Sequence, residues 1–548
     1  MLIIFKILFT NIYLYIYGRT FCDYYFKKNN NKESENAIFG TIFISFIALV
    51  VNFFFPLNKI VTTIIFLIPF SFLVKKKITK KEFWFLIKAT VIVFFFIVYS
   101  DINRPDAGLY HLPYTQILNQ NKIIIGLGNL HFRFSHISIV QYLSAINYNY
   151  ITGVEGIIIP LASLVSFILI YFFDEILEFI KKKNDLKLND IYSLFILVYI
   201  CYKINRYSGF GNDAPAHLLF FYLISVYLKS KTNFEFLKKT CVIASYTFLN
   251  KVTLGLALIF PFFIFLKLTE KKYKIFLSFA SVFIVFWLIK NILVSGCLIY
   301  PIEKTCINQF SWSNQSETIK QNISAEVWAK DWPNKNNKYI TKENYLKNFN
   351  WLSSWSNNHL IYILKILIPY IVFLLTIILF INFDKNKLSK KKFFKNKSKI
   401  FEIITVTMMG TLIFFLKFPL YRYGYSYIIT LIIFLISCLL LKYDLIHIKK
   451  LFKYIIILSM SVLLGKQLQR IYNNHNSYNI WPNIYAFNPK MKNLELHEKI
   501  IGSNYKIFIS KKECMYIKGP CTNTYLKNIN HKTMFGYNII YIKKIRNN

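Results

Sequence analysis

Along this chain, apolar positions gather into blocks rather than into the alternating or one-in-three patterns of soluble domains. Runs of roughly 16 to 26 apolar residues recur, long enough to cross a hydrocarbon core of about 30 Å as helices. The first, 1–17, lacks a basic leader and a small-residue cleavage site, and so reads as a retained span rather than a signal peptide. Further spans are expected near 37–55, 58–74, 82–100, 155–180, 189–204, 214–230, 236–250, 252–268, 274–294, 358–383, 400–418, 426–442 and 450–465. The pattern predicts an all-α polytopic membrane protein of about fourteen transmembrane helices.

The turns between the blocks alternate in charge. Every second one is basic: Arg19, Lys27, Lys28 and Lys32; Lys75, Lys76, Lys77, Lys80 and Lys81; Lys181, Lys182 and Lys183; Lys229, Lys231, Lys238 and Lys239; Lys271, Lys272 and Lys274; the 385–399 cluster; Lys449 and Lys450. The short intervening turns hold a single basic residue each, Lys59, Arg206, Lys251 and Arg422. Lysine and arginine mark cytoplasmic turns, so this alternation predicts both termini outside the cytoplasm. It also accounts for the formal charge of +41, which in a soluble protein would point to nucleic acid; no nucleic-acid partner is expected here, and the partner is membrane lipid.

Three external segments exceed simple turns: 101–154, 295–357 and 466–548. The first holds an expected interfacial helix at 132–147, and the second carries Trp312, Trp328, Trp332, Trp351 and Trp355, a residue type suited to the membrane interface. The third is polar, with strand-like runs at 505–509 and 538–542, and is expected to form a small α+β C-terminal domain behind a transmembrane domain spanning 1–465. Cys22, Cys201, Cys241 and Cys438 stand alone, whereas Cys297/Cys306 and Cys514/Cys521 form close pairs in external segments, where disulfides persist. Both pairs are expected to be bonded.

Phosphate-loop, dinucleotide, nucleophile-elbow and zinc-helix motifs are absent from the sequence. Its polar chemistry sits instead at the external ends of spans: Asp101, Arg104, Asp106, Tyr110 and His111 within 100–116; Asn212, Asp213 and His217; Asn250 and Lys251; Arg422. Lys251 interrupts an otherwise apolar stretch and needs a partner there. Snorkelling to headgroups is its alternative explanation; helix capping is that of Asp106 and Asp213. His131, Arg133 and His136 form a second small basic group.

An acidic residue closing a span ahead of a large outer loop, followed by Y-H-L-P at 110–113, resembles the GT-C glycosyltransferases, polytopic enzymes that take a sugar from a polyprenyl-phosphate carrier at the external membrane face. The resemblance extends to N-D-A-P at 212–215, N-K-V-T at 250–253 and R-Y-G at 422–424; S-G-C-L-I-Y-P-I at 295–302 and G-P-C-T at 519–522 resemble an uncharacterised bacterial membrane family related to those enzymes. One departure is that three spans precede the acidic loop's span, where GT-C enzymes usually place that loop after the first. The resemblance implies a multi-pass protein of the bacterial inner membrane with periplasmic termini, a polyprenyl-phosphate-linked sugar donor and a cell-envelope acceptor. Asp106, or Asp101, would be the general base, with His111 assisting. Lys251, Arg422, Asp213, Arg104 and Tyr110 would line the phosphate and substrate site. No cofactor is implied, and a divalent metal stays open. The competing reading is a polysaccharide or lipid-linked glycan transporter, or a polymerase-like protein. A transporter calls for charges at mid-depth and repeated halves, whereas here the charges cluster at span ends.

Overall fold

The computed structural model describes residues 3–26, 31–74, 76–100, 106–136, 138–181, 186–204, 207, 209–268, 278–332, 341–382, 397–440, 448–474, 495–502, 504–517, 519–525 and 528–543. Helices come first and strands last. Ile3–Tyr25 and Glu33–Phe54 open the bundle as a helical hairpin. Gly18 and Gly40 lie where these two meet: a methyl at Gly18 would overlap the Asn36 carbonyl, and one at Gly40 the Leu14 carbonyl. Between helices in lipid, such small residues let backbones approach and replace the missing hydrophobic drive with van der Waals contact.

The middle of the bundle is the helix Ile159–Lys181, packed against Glu33–Phe54, Lys80–Ile97, Leu188–Lys203 and Asp213–Lys229. Its apolar window is 94% buried. The few polar groups at this depth are paired, as Ser163 donates to Asn11 (2.7 Å) and Asn11 to Thr90 (3.1 Å). The corresponding windows of Leu352–Ile377, Lys397–Lys417 and Lys449–Asn474 are only 28 to 33% buried. They form the periphery, where apolar side chains such as Ile368, Met408 and Ile457 point away from the protein.

Five helices among the described residues are long and apolar enough to cross a membrane, these three with Glu33–Phe54 and Val154–Lys181, against the fourteen expected. The reasons for the shortfall are local. Leu188–Lys203, Asp213–Lys229 and Phe234–Asn250 have 16, 17 and 17 residues, so at a rise of 1.5 Å per residue they reach roughly 25 Å. Lys80–Ile97 carries Lys80, Lys81, Glu82 and Lys88, and Ile3–Tyr25 is diluted by Lys6, Asn11, Arg19 and five tyrosines. The expected 252–268 span is a 3-10 stretch, Val252–Leu258, with non-helical backbone at Leu254, followed by a short α-helix, Ile259–Leu266. Where an interfacial helix was expected over 132–147, Phe132–His136 form a 3-10 turn and Val140–Ile146 a short helix whose residues are buried in protein rather than laid on an interface.

The basic turns that alternate along the sequence meet one another at one end of the bundle. Arg19 bonds the Lys76 and Lys77 carbonyls and pairs with Glu82. Lys32 and Lys229 share Glu175 (2.6 and 2.9 Å), Lys239 pairs with Glu35 (2.7 Å) and Lys399 bonds the Ser230 carbonyl (2.6 Å). Asp106, Asn250, Lys251 and Arg422 lie together elsewhere, with the C-terminal strands.

The last helix, Ile448–Asn474, runs past the expected boundary at 465. Its Asn474 donates to the Tyr99 carbonyl (2.8 Å) and its Arg470 to Phe96 (3.2 Å). The strands then form two small sheets. Leu496–Ile501 pairs antiparallel with Tyr505–Ser510, which pairs parallel with Cys521–Thr522. Ile529–Met534 and Tyr537–Ile542 make a hairpin whose two turn residues, Phe535 and Gly536, have φ of 50° and 71°, the left-handed pair that matches strand twist. This segment docks on the 106–136 region through backbone: Ile125 N–H donates to Asn538 (2.9 Å) and Ile540 N–H to Ile125 (2.8 Å). Both expected disulfides, Cys297–Cys306 and Cys514–Cys521, are present.

Gly18→Ala and Gly40→Ala should each cost about 1–3 kcal/mol by overpacking the helix contact. Gly465→Ala, where no atom lies within 4 Å of the added carbon, should cost nothing. Thermal unfolding of the detergent-solubilised protein checks this, and equal melting of all three variants would contradict it.

Candidate functional site

Asp106 stands at the head of a single π-helical turn, Ala107–His111, which continues into Leu112–Gln120 with Pro113 in its first turn. Its carboxylate makes no capping bond. It receives instead Nη1 of Arg422 at 3.2 Å, both side chains being about two-fifths exposed. Arg422 was expected in a short turn between spans, but Pro419 precedes a helix that starts at Tyr421 and runs to Leu440, so Arg422 occupies its first turn. Trp355 fixes this entry by donating its indole N–H to the Pro419 carbonyl (2.7 Å).

Lys251 follows the helix Phe234–Asn250 in extended backbone and is 7% exposed. Its ammonium pairs with Asp213, donates to the Arg422 carbonyl (2.6 Å) and faces the Tyr423 ring at 4.8 Å. Asp213 is the first residue of its helix, whose N-cap Asn212 makes no side-chain capping bond, and its carboxylate takes this pair. His217 Nε2 lies 2.9 Å from the same carbonyl and Nδ1 lies 2.8 Å from the Ser426 hydroxyl. A carbonyl only accepts, so Nε2 carries the proton and Nδ1 accepts from Ser426. Tyr425 stacks on the imidazole at 3.8 Å. Lys251 is therefore committed to protein partners, and it holds the turn that presents Arg422.

Tyr110 and His111 close the other side. The Gln141 amide donates to His111 Nδ1 (2.9 Å) and to the Phe210 carbonyl (3.3 Å), which puts the His111 proton on Nε2, beside Gly211. Burial pushes His111 down to about 4, against the opposing pull of Asp106 and Asp213. Burial likewise raises the Tyr110 hydroxyl well above its usual range. Trp328, on the helix Gln315–Ala329, lies over the Arg422 guanidinium at 5.3 Å and is 43% exposed. Glu326 anchors that helix through Lys330 (2.6 Å) and Lys417 (3.3 Å). From the C-terminal segment, the backbone N–H groups of Cys514 and Met515 both donate to the Gly108 carbonyl (3.1 and 2.8 Å), so the Cys514–Cys521 loop clasps the turn that carries Asp106.

Segments more than 300 residues apart in sequence, 106–111 and 422–423, thus share one polar face with 212–217 and 250–251. A family model described as "Domain of unknown function (DUF8201)" matches residues 1–429. The chain belongs to the DUF8201 family. No curated protein and no solved structure matches it. The DUF8201 match contains Asp106, Asp213, His217, Lys251, Trp328 and Arg422, and it ends before the Ile448–Asn474 helix and the strands that clasp Gly108.

Of the residues singled out from sequence, Asp106, Tyr110, His111, Asp213, Lys251 and Arg422 are brought together, whereas Asp101 and Arg104 lie outside the described residues. The disulfide Cys297–Cys306 lies in another segment and shapes the turn after Phe279–Ser295. No group of three or more His, Cys, Asp or Glu side chains suited to a metal occurs among the described residues. Gln141 and Tyr423 were not selected in advance, and Trp328 was assigned only to the membrane interface. Nothing in a tryptophan or glutamine at those positions distinguishes them until the fold places them beside His111 and Arg422.

A histidine held at about 4 in the fold and near 6.5 when unfolded binds its proton more readily unfolded. Stability associated with His111 is thus complete above about pH 6.5 and is lost as pH falls towards 4. His111→Gln should flatten the acid limb of the stability profile over that window, measured by thermal melting from pH 4 to 7. An unchanged limb would contradict the burial of a neutral imidazole.

Proposed function

We propose that this chain is an integral-membrane glycosyltransferase of GT-C type, transferring a sugar from a polyprenyl-phosphate carrier to a cell-envelope acceptor at the periplasmic face, with both termini on that side. The observation that carries the reading is the junction of Asp106, Arg422, Lys251 and Asp213 at one face, away from the basic turns. Magnitudes divide the labour among them. The Asp106–Arg422 pair is half exposed and is worth about 0–1 kcal/mol, so an incoming phosphate can take the guanidinium in bidentate fashion. The buried Lys251 ammonium would cost about 3–5 kcal/mol to strip of its partner, so it stays as the post under Arg422. Capture of the phosphate by Arg422 releases Asp106 to act as base.

The acceptor hydroxyl then loses its proton to the Asp106 carboxylate as its oxygen bonds to the sugar's anomeric carbon. The bond from that carbon to the phosphate oxygen breaks on the opposite face, with inversion. The electron pair leaves on the phosphate, where Arg422 offsets the charge. Trp328 and Tyr423 wall the guanidinium and exclude water from one side of it.

Asp106→Asn keeps shape and removes the proton acceptor, so transfer of labelled sugar from lipid carrier in membranes should fall by about 10² to 10⁴. Lys251→Met, which leaves Asp213 unpaired, should lower the melting temperature as well as the rate. Full transfer by Asp106→Asn at equal expression would overturn the assignment of the base.

A further inference from the structure

Beside the ion-paired Arg422, the same face holds a second guanidinium, that of Arg133, which has no carboxylate partner among the described residues. Its side chain lies over the Tyr110 ring (5.5 Å) and the Phe132 ring (5.1 Å), and it makes no ion pair or side-chain hydrogen bond with the described residues. The backbone that presents it is fixed. Arg133 N–H donates to His131 Nδ1 (3.0 Å), and His131 Nε2–H donates in turn to Asn523 of the C-terminal segment (2.9 Å). That ring is the neutral tautomer the two contacts demand, since burial pushes His131 down to about 4. The segment 131–133 is thus tied on one side to the strands and turned on the other towards Tyr110.

Asp106 and Tyr110 are four residues apart on one helical turn, and residues so spaced share a face. Arg422 attaches at the first and Arg133 at the second. Aromatic faces offset a guanidinium's lost hydration only in part, and Arg133 is partly buried. Asp106 already answers Arg422, so Arg133 is left without an ion-pair partner among the described residues. A ligand with a single phosphate, taken by Arg422, would leave Arg133 as it stands. A ligand with two phosphates would engage both forks.

We propose that Arg133 is a second anion-binding residue of this site and that the ligand it serves carries a diphosphate, as a lipid-linked diphosphate does. This deepens the reading of the site as one for a polyprenyl-linked donor and rests on it. Glu513, whose carboxylate packs against Gly108, bounds the face on the side of the C-terminal clasp and disfavours a ligand placed further towards the strands.

The test uses the full chain in lipid nanodiscs, with binding of undecaprenyl phosphate and undecaprenyl diphosphate measured by native mass spectrometry. The diphosphate should bind at least about tenfold tighter, the effect of one further charge-assisted contact. Arg133→Gln should abolish that preference while leaving monophosphate affinity within about twofold. Arg133→Lys, which keeps the charge without the fork, should retain part of the preference, and Arg422→Gln should weaken both lipids. Equal affinity of the wild type for the two lipids, or a preference that survives Arg133→Gln, would overturn this inference alone. Failure of the wild type to bind either lipid would overturn it together with the donor reading.

Discussion

A buried ammonium has to find counter-charge and acceptors within the protein, and at Lys251 that requirement joins three separate parts of the chain. Asp213 supplies the charge from the start of one helix, and the Arg422 carbonyl supplies an acceptor from the first turn of another. His217 bonds the same carbonyl from below. Removing any partner leaves a polar group buried without compensation, which is costly in a low-dielectric interior. The position of the Arg422 guanidinium, and through it the contact with Asp106, follows from that junction. The Asp106 turn is held a second time, by the two N–H groups that the Cys514–Cys521 loop gives to Gly108.

The opposite end of the bundle answers the same constraint in another way. There the excess cations are drawn onto a few carboxylates, Lys32 and Lys229 onto Glu175, Lys239 onto Glu35 and Arg19 onto Glu82, and Lys399 onto helix-end carbonyls. Those contacts lock the basic end. Among the described residues, Arg133 at the end that carries Asp106 rests on aromatic rings without an ion pair.

Much of this was legible in the sequence where a local feature has a strong physical cost. Lys251 stood out because a charge interrupting an apolar stretch demands a partner, and the paired cysteines stood out because close spacing in external segments favours bonding. The strand-like runs near 505–509 and 538–542 became strands of almost those limits. The span count was not legible, because apolar runs in a tightly packed bundle need not be long: Leu188–Lys203 and Phe234–Asn250 are covered by protein rather than by lipid. The start of the Tyr421–Leu440 helix was missed for want of a capping residue near Pro419. The docking of Asn538 and Ile540 onto Ile125 uses backbone groups alone, and backbone pairing across some 400 residues leaves no trace in side-chain pattern.

The central claim is that residues distant in sequence form one polar face on the side of the membrane away from the basic turns. Its most direct test is sidedness, read by a membrane-impermeant thiol reagent on intact cells. Single cysteines would replace Asp106, Trp328 and Arg422, and Lys77 and Lys231 as their counterparts, after serine substitution of Cys22, Cys201, Cys241 and Cys438. The account predicts external labelling at 106, 328 and 422, and labelling at 77 and 231 only once the membrane is opened. Labelling of both sets from the same side, or of 106 and 422 from opposite sides, would contradict it.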